Sequence, residues 1–328
     1  MNTHNQTSNN SLIFEENSSR IGVKQRMITI SLLGICLIPS FICFLFIFYY
    51  FIRLRKTLLF DRINHHVILC ILICDFLIIT TELPFTFQYL SLGYFPKSNL
   101  CPIWIFWDYT SEALPLFLTM YASIERYFLV FHKPWIINHK ILFHYIPMAM
   151  ACLYTIGINS YLVLFIPCEE SRVYDVDVFV CGGACYFSDF LPNIYDTIVD
   201  VMVPPFIILI FNLLIIVRVI IRRRNALTTV LVPNILRKNR RMILQLLAIS
   251  LLSLAIWMPW VVITLGQDFY DPSFAQQFID IIIHYLPYFS SFVSPFLALI
   301  GLPEIQAKFK KFNIKPTMAL NTINPTNA

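Results

Sequence analysis

The chain has 328 residues, of which 58% are hydrophobic and only 13% are charged, and its formal net charge is +5. A soluble domain carries about 25% charged residues, so this composition excludes a soluble globular protein. It predicts an integral membrane protein whose main partner is the lipid bilayer, and no nucleic-acid partner is expected.

The first 26 residues are polar and carry three acceptor sequences for N-linked glycosylation, at Asn5, Asn9 and Asn17. Such sites are modified only on the lumenal, later extracellular, side of the membrane. We therefore predict that residues 1–26 form an extracellular glycosylated tail.

Seven apolar stretches of membrane-spanning length follow the tail. They cover residues 27–52, 66–90, 101–131, 141–167, 195–221, 240–266 and 275–301. We predict an all-α, seven-transmembrane helix bundle over residues 27–301. Lys and Arg concentrate after the first, third, fifth and seventh stretches, and the positive-inside rule places these segments in the cytoplasm. The N-terminus is then extracellular and the C-terminus cytoplasmic.

Acidic residues interrupt several of these stretches. Asp75 lies in the middle of the second, where an ionisable residue is costly and indicates a functional site. In the third, Asp108 and Arg126 are 18 residues apart, which is five helical turns, so both point into the bundle. Glu112 lies one turn below Asp108. Four-residue spacing also relates Asp196 to Asp200, and Asp280 to His284 and Tyr288. The pattern predicts an acidic cavity that favours a positive ligand.

The long outer loop, residues 168–194, alternates apolar and polar residues from Val173 to Val180 before Gly182-Gly183. Such alternation before a turn predicts a β-hairpin over the cavity. Four cysteines fall on the outer side, where disulfides persist: Cys101, Cys168, Cys181 and Cys185.

Further motifs lie in the last three spans. The fifth has Pro204-Pro205, the sixth has Trp257-Met258-Pro259, and the seventh has Ser294-Pro295. Residues 303–312 then place Ile305, Phe309 and Phe312 at helical spacing. They predict a short amphipathic helix on the inner membrane face, followed by a cytoplasmic tail, over residues 302–328.

From Cys101 to Arg126, the middle residue of Glu125-Arg126-Tyr127, is 25 residues, or roughly 37 Å of helix. Together with the motifs above, this order resembles the rhodopsin-like (class A) G-protein-coupled receptors over residues 27–312. The stretch from Pro204 to Asn212 is also similar to invertebrate FMRFamide-type peptide receptors and related orphans. The seventh span departs from the family pattern, with Ser294 for Asn and Ala298 for Tyr.

The resemblance implies a plasma-membrane receptor that binds an extracellular ligand, a peptide with a basic group, and activates a heterotrimeric G protein. The implied ligand residues are Asp108, Glu112, Asp200, Trp257, Trp260, His284 and Tyr288. It implies coupling and activation roles for Glu125, Arg126, Tyr127, Pro259 and Pro295. It also implies a disulfide from Cys101 to Cys181 or Cys185, and the remaining cysteine could pair with Cys168.

No cofactor is expected apart from a sodium ion. The resemblance implies a sodium pocket, or a protonated polar core, formed by Asp75 with Ser111, Ser290, Ser291 and Ser294. Pro115 replaces a hydroxyl residue that usually helps there.

The resemblance also implies a resting state in which Glu125 holds Arg126. An acid at the inner end of the sixth span often assists, but Asn239 stands there, among basic residues. We therefore expect a weak lock and signalling without ligand.

The alternatives are a biogenic amine receptor of the same fold and, from another class, a seven-span transporter or channel. Amine sites generally add hydroxyls on the fifth span, where Thr197 is the best match. A transporter would show an internal repeat with broken spans, and none is evident. No metal, nucleophile or phosphate motif predicts an enzyme.

Overall fold

The computed structural model describes residues 22–55, 64–131, 133–166, 174–225, 232–271, 273–302 and 305. Seven of its helices are long and apolar enough to cross a membrane, as the sequence predicted. These spans 1 to 7 are Val23–Arg53, His65–Leu92, Ser98–Phe131, Ile141–Phe165, Phe190–Ile221, Leu247–Gln267 and Phe278–Ile300. The chain is therefore a multi-pass membrane protein.

Several spans are built from more than one helical segment. Span 1 is the α-helix Val23–Arg53. Span 2 joins α-helices Asn64–Leu77 and Leu83–Leu92. Span 3 continues the 3₁₀ turn Ser98–Leu100 into Cys101–Phe131, and a short helix, Lys133–Asn138, follows. Span 4 contains Ile146–Ser160, and span 5 contains Phe190–Tyr195 and Val203–Asn225. Span 6 belongs to Val232–Phe269, and span 7 contains Gln276–Ile281, Ile283–Tyr285 and Leu286–Gly301.

Widened, π-helical turns connect these segments. They cover Ile78–Glu82, Ile141–Tyr145, Tyr161–Phe165 and Asp196–Met202. Three of them end two residues before a proline, at Pro84, Pro147 and Pro204. Proline lacks the N–H that closes an α-helical turn, and its ring clashes with the carbonyl four residues earlier, so a wider turn relieves the conflict. The widened turn in span 5 carries Asp196 and Asp200, and the one in span 2 ends on Glu82.

Span 3 lies at the centre of the bundle and packs against spans 2, 4, 5 and 6. Span 7 packs against spans 1, 2 and 6. Large apolar side chains are exposed around the sides of the bundle, including Ile35, Ile52, Leu153, Phe165 and Val262. Such a surface suits lipid, in which every backbone polar group has to be satisfied within the helix.

The outer loop between spans 4 and 5 is not a hairpin over its described residues, 174–188, which contain 3₁₀ turns and no strand. The predicted β-hairpin is therefore not confirmed. Val180, Cys181, Gly182 and Gly183 all have positive φ, between 49° and 83°. Four residues in succession with positive φ reverse the direction of the chain, so the backbone here does not have the extended conformation of a strand. At Gly183, φ is +83°, and an added β-carbon would lie 3.2 Å from both the Phe187 ring and the Tyr109 hydroxyl.

A disulfide joins Cys101, at the outer end of span 3, to Cys181, with their Cα atoms 5.8 Å apart. This resolves the choice that the sequence left between Cys181 and Cys185. Cys185 is also disulfide-bonded, while Cys168 lies outside the described residues. The Cys101–Cys181 bond fixes the loop over the outer end of the bundle.

Loss of this disulfide should destabilise the receptor. Cys101→Ala should lower the free energy of unfolding by about 2–5 kcal/mol, the usual cost of removing a native disulfide, and reduce delivery to the cell surface. Cys36→Ala is the matched control, because Cys36 is a free cysteine in span 1. Surface labelling and thermal denaturation of the purified protein measure both effects. Equal losses in the two variants would contradict the structural role of this disulfide.

Three predicted features lie outside the described residues. They are the glycosylation sites Asn5, Asn9 and Asn17, the inner amphipathic helix apart from Ile305, and the ends of both tails. The division into residues 1–26, 27–301 and 302–328 stays a prediction.

Candidate functional site

A cavity of about 610 Å³ opens among spans 3, 5, 6 and 7 below the outer loop. This volume lies within the range typical of ligand sites. Its wall contains all but one of the predicted ligand residues: Asp108, Glu112, Asp200, Trp257, Trp260 and His284. Tyr288, the exception, is fully buried beside the cavity.

Carboxylates dominate the polar part of the cavity wall. Asp108 and Glu112, the span 3 acids, lie one turn apart on span 3, and Asp196 and Asp200, the span 5 acids, lie one turn apart on span 5. Asp280 adds a fifth carboxylate from span 7. Among the described residues that line the cavity there is no Lys or Arg. The cavity is therefore acidic, as the helical spacing predicted.

Behind the span 3 acids lies Glu82, a buried acid of span 2 that the sequence analysis missed. Its Oε1 accepts hydrogen bonds from the Thr86 hydroxyl at 3.0 Å and from Trp104 Nε1 at 3.3 Å. The Thr86 hydroxyl also lies 2.7 Å from that of Tyr288. Tyr288 is also a hydrogen-bond partner of Glu82 itself. Spans 2, 3 and 7 meet at this network.

Aromatic rings form the upper wall. The ring of Phe179, from the outer loop, lies 5.0 Å from that of His284 and 5.4 Å from that of Tyr285. The Trp260 ring lies 5.8 Å from His284 on the other side. At the bottom, Trp257 packs against a buried cluster of spans 3, 5 and 6 formed by Leu116, Ile208 and Leu254. Trp257 thus connects the cavity to the inner half of the bundle, two residues before Pro259.

The polar core around Asp75 lies below the cavity. The Ser291 hydroxyl donates to Asp75 Oδ1 at 3.1 Å, and Ser294 is buried beside it and donates to the Ser291 carbonyl. Ser111 instead donates to the carbonyl of Asp108 in its own helix. These oxygens are of the type that binds sodium. The described part of the chain contains no group of three or more His, Cys, Asp or Glu side chains that could hold a metal ion. Sodium binding at Asp75 stays a prediction.

At the inner end of span 3, Glu125 does not bind Arg126. Its Oε1 is hydrogen-bonded to Nδ1 of His144, a fully buried residue of span 4. Nε2 of His144 in turn lies 3.1 Å from Nδ1 of His66 in span 2. Glu125 thus belongs to a chain of polar contacts across three spans.

Arg126 is buried, with 3% of its surface exposed, and its three guanidinium nitrogens have no hydrogen-bond partner among the described residues. Its neighbour Tyr127 packs against span 5: its ring lies 5.7 Å from the Phe211 ring, and the Arg218 guanidinium lies 5.0 Å from its centre. The pairing of Glu125 with Arg126 that the family resemblance implied is therefore not the arrangement that the structure has.

Two prolines lie inside the helices that approach this inner site. Pro259 interrupts the hydrogen-bond ladder of span 6, and Pro295 that of span 7. Each removes one backbone hydrogen bond and creates a place where the helix can bend. Their predicted roles in activation stay predictions.

Sequence reasoning missed two residues of these sites, Glu82 and His144. Glu82 carries a signal that could have found it, since it lies seven residues, two turns, after Asp75 and is also an acid within a span. His144 lies at the inner boundary of span 4, where a polar residue is common and does not by itself indicate a functional site. Its role follows only from the packing of span 4 on span 3.

Comparison with known families agrees with this architecture. The model of the 7 transmembrane receptor (rhodopsin family) matches residues 60–297, which is more than half of the chain. No curated protein matches the chain. Seven spans, a central third helix and an outer cavity together with this match show that the chain belongs to the rhodopsin family of seven-transmembrane receptors.

Proposed function

We propose that this receptor binds an extracellular peptide with a basic group and activates a heterotrimeric G protein. Membership of the family implies an extracellular ligand and a G protein as partners. The class of ligand and the position of the N-terminus outside the cell are our inferences. The similarity of the stretch from Pro204 to Asn212 to invertebrate FMRFamide-type receptors supports a peptide.

The acidic cavity is the observation that carries the proposal. Asp108 is 4% exposed, and its Oδ1 has no hydrogen-bond partner in the described part of the chain. Among the described residues, the side chain of Asp108 is hydrogen-bonded to the carboxyl group of Glu82 only, and a buried acid with an oxygen that has no partner is costly, so a cationic group of the ligand would offset that cost. The wide aromatic wall of Phe179, His284 and Trp260 offers apolar surface for neighbouring side chains of a peptide.

A biogenic amine is the second candidate ligand. Thr197, a buried hydroxyl residue of span 5, lines the same cavity as Asp108, and amine receptors use such a hydroxyl opposite the acid. A calcium and cyclic-AMP assay in transfected cells, run against amidated peptides and amines, distinguishes the two classes.

The role of Asp108 can be tested on any ligand that this assay yields. Asp108→Asn keeps the size of the side chain but removes its charge, so a cationic ligand should lose about 2–5 kcal/mol of affinity. Asp271→Asn is the matched control, because Asp271 is an exposed outer acid that does not line the cavity. A competition assay on membranes with equal receptor number measures the loss. A ligand that binds Asp108→Asn as tightly as the wild type would show that Asp108 has a structural role only.

A further inference from the structure

The carboxylates that spans 3 and 5 contribute to the cavity form two groups. The span 3 acids, Asp108 and Glu112, and the span 5 acids, Asp196 and Asp200, belong to different helices, and both line the same space. In each group the two carboxylates are four residues, one helical turn, apart. Each group therefore presents a negative field of its own.

No Lys or Arg among the described residues that line the cavity neutralises the span 3 acids. The side chain of Asp108 is hydrogen-bonded to the carboxyl group of Glu82 behind it, so the two share a proton, while Oδ1 of Asp108 has no hydrogen-bond partner among the described residues. Both residues are more than nine-tenths buried. Asp108 and Glu112 thus line one side of the cavity with Glu82 behind them, and a cation that binds there is attracted by the negative charge that this group carries.

The span 5 acids have polar partners but no positive one. Oδ1 of Asp200 accepts a hydrogen bond from the Tyr154 hydroxyl at 2.7 Å. The hydroxyl of Tyr186, a fully buried residue of the outer loop, is directed at the carboxylate of Asp196. Burial and then the negative charge of Asp196 raise the pKa of Tyr186 well above its ordinary value. A donor from a ligand could bind Asp196 and Tyr186 together.

The cavity wall offers no cation to either group. No Lys or Arg of the described chain lines it, and His284 is the sole basic side chain among its described residues. Nδ1 of His284 makes no hydrogen bond to any described acid, and its ring is packed between Phe179 and Trp260. The described wall therefore offers no cation for either acidic group, and a positively charged ligand would supply one.

We infer that the ligand carries two cationic groups, one bound by the span 3 acids and the other by the span 5 acids. This inference rests on the proposed function, since it concerns the same cavity, but it adds a second charge and a second binding position. Two cationic nitrogens can come from a peptide with two basic residues or from a small diamine. The described wall is compatible with both, because it recognises the charges rather than the chain between them.

The test uses the purified full-length receptor and two sets of probes. The first set is acetylated, amidated hexapeptides with no, one or two arginines in an Ala/Phe background. The second set is α,ω-diaminoalkanes beside monoamines of the same chain length. The rise in melting temperature with probe concentration gives an affinity for each probe.

We expect the best two-charge probe to bind at least about 30-fold more tightly than its one-charge counterpart. Asp196→Asn combined with Asp200→Asn should remove this gain, so that the two-charge probe binds no more tightly than the one-charge probe. Asp108→Asn should weaken both, and Asp271→Asn should change neither. If the gain in affinity appears only with peptides, or only with diamines, the result identifies which of the two kinds of ligand fits the cavity. Each of these results supports two binding positions for cations.

Two other outcomes separate this inference from the proposed function. If the one-charge and two-charge probes bind equally well, and both are weakened by Asp108→Asn, the second position is disproved and the proposed function stands. If the arginine content of the peptides and the amine charges make no difference to binding at all, both are overturned.

Discussion

Replacing Arg126 with alanine should abolish G-protein activation while leaving surface expression and ligand binding largely intact. Arg126 is 18 residues, roughly 27 Å along span 3, from Asp108 and the outer cavity. The substitution therefore acts at the opposite end of the bundle from the ligand. If Arg126 makes the contact with the G protein, no other described cation of span 3 replaces it.

The surroundings of Arg126 make this variant unusually informative. The guanidinium is buried, and its nitrogens have no hydrogen-bond partner among the described residues. Removing a buried charge without a partner should leave the free energy of unfolding unchanged or raise it. A loss of signalling in Arg126→Ala then cannot be attributed to an unfolded receptor.

Nucleotide exchange on the G protein, divided by the receptor number at the surface, measures the effect. Arg53→Ala is the matched control: Arg53 is exposed at the end of span 1, where it donates to the hydroxyl of Tyr49. That variant should signal normally. Unchanged signalling in Arg126→Ala at equal expression would count against coupling through this end of span 3.

The spans and the acidic wall of the cavity were predictable because they depend on local patterns. Apolar stretches of sufficient length specify membrane helices, and four-residue spacing places Asp108 with Glu112 and Asp196 with Asp200 on one face each. The wide turn at Asp196–Met202 left the second pair one turn apart. The structure keeps these features because a helix in lipid makes the hydrogen bonds of its backbone within itself.

The partner of Glu125 was not predictable in this way. Glu125 and Arg126 are adjacent in sequence, but neighbouring residues on a helix point in different directions, so adjacency alone does not decide whether the two side chains bind each other. The choice of His144 depends on how span 4 packs on span 3, which no local pattern contains. The same holds for Glu82, whose network includes Trp104 of span 3 and Tyr288 of span 7.

The prediction of a β-hairpin in the outer loop was not confirmed for a different physical reason. Alternation from Val173 to Val180 predicts a strand only if the backbone stays extended. The chain instead turns between Asp175 and Val178, where the Val178 N–H donates to the Asp175 carbonyl, and Val180 has φ of 49°, which is rare for a β-branched residue. Cys181 is joined to Cys101, so a long-range constraint accompanies the local departure from the pattern.

The hydrogen bond between Glu125 and His144 leads to a prediction about the unliganded receptor. While Glu125 is hydrogen-bonded to His144, no described acid accepts a hydrogen bond from Arg126. The inactive state should therefore be only weakly stabilised. We expect measurable signalling without ligand. Weakening the lock by about 1.4 kcal/mol raises the ratio of active to inactive receptor roughly tenfold.

Two substitutions that break the same hydrogen bond should have opposite effects on this basal signal. His144→Phe fills the buried space but releases the carboxylate of Glu125, for which the guanidinium of Arg126 is then the nearest cation on its own helix. The basal signal should fall by about tenfold. Glu125→Gln removes the carboxylate, leaves Arg126 without a counter-charge, and should maintain or raise the basal signal. Asn239→Glu, which adds an acid at the inner end of span 6, should lower it as His144→Phe does.

Basal nucleotide exchange per surface receptor, with the maximal response as the reference, measures all three variants. The opposite signs are decisive, because they depend on which residue Glu125 binds. If the Glu125–His144 contact were itself the lock, both His144→Phe and Glu125→Gln would raise the basal signal together. If Glu125 already held Arg126, His144→Phe would leave it unchanged. A fall in His144→Phe that disappears in the double variant with Glu125→Gln is the result expected when a histidine of span 4 keeps the acid of span 3 from its arginine.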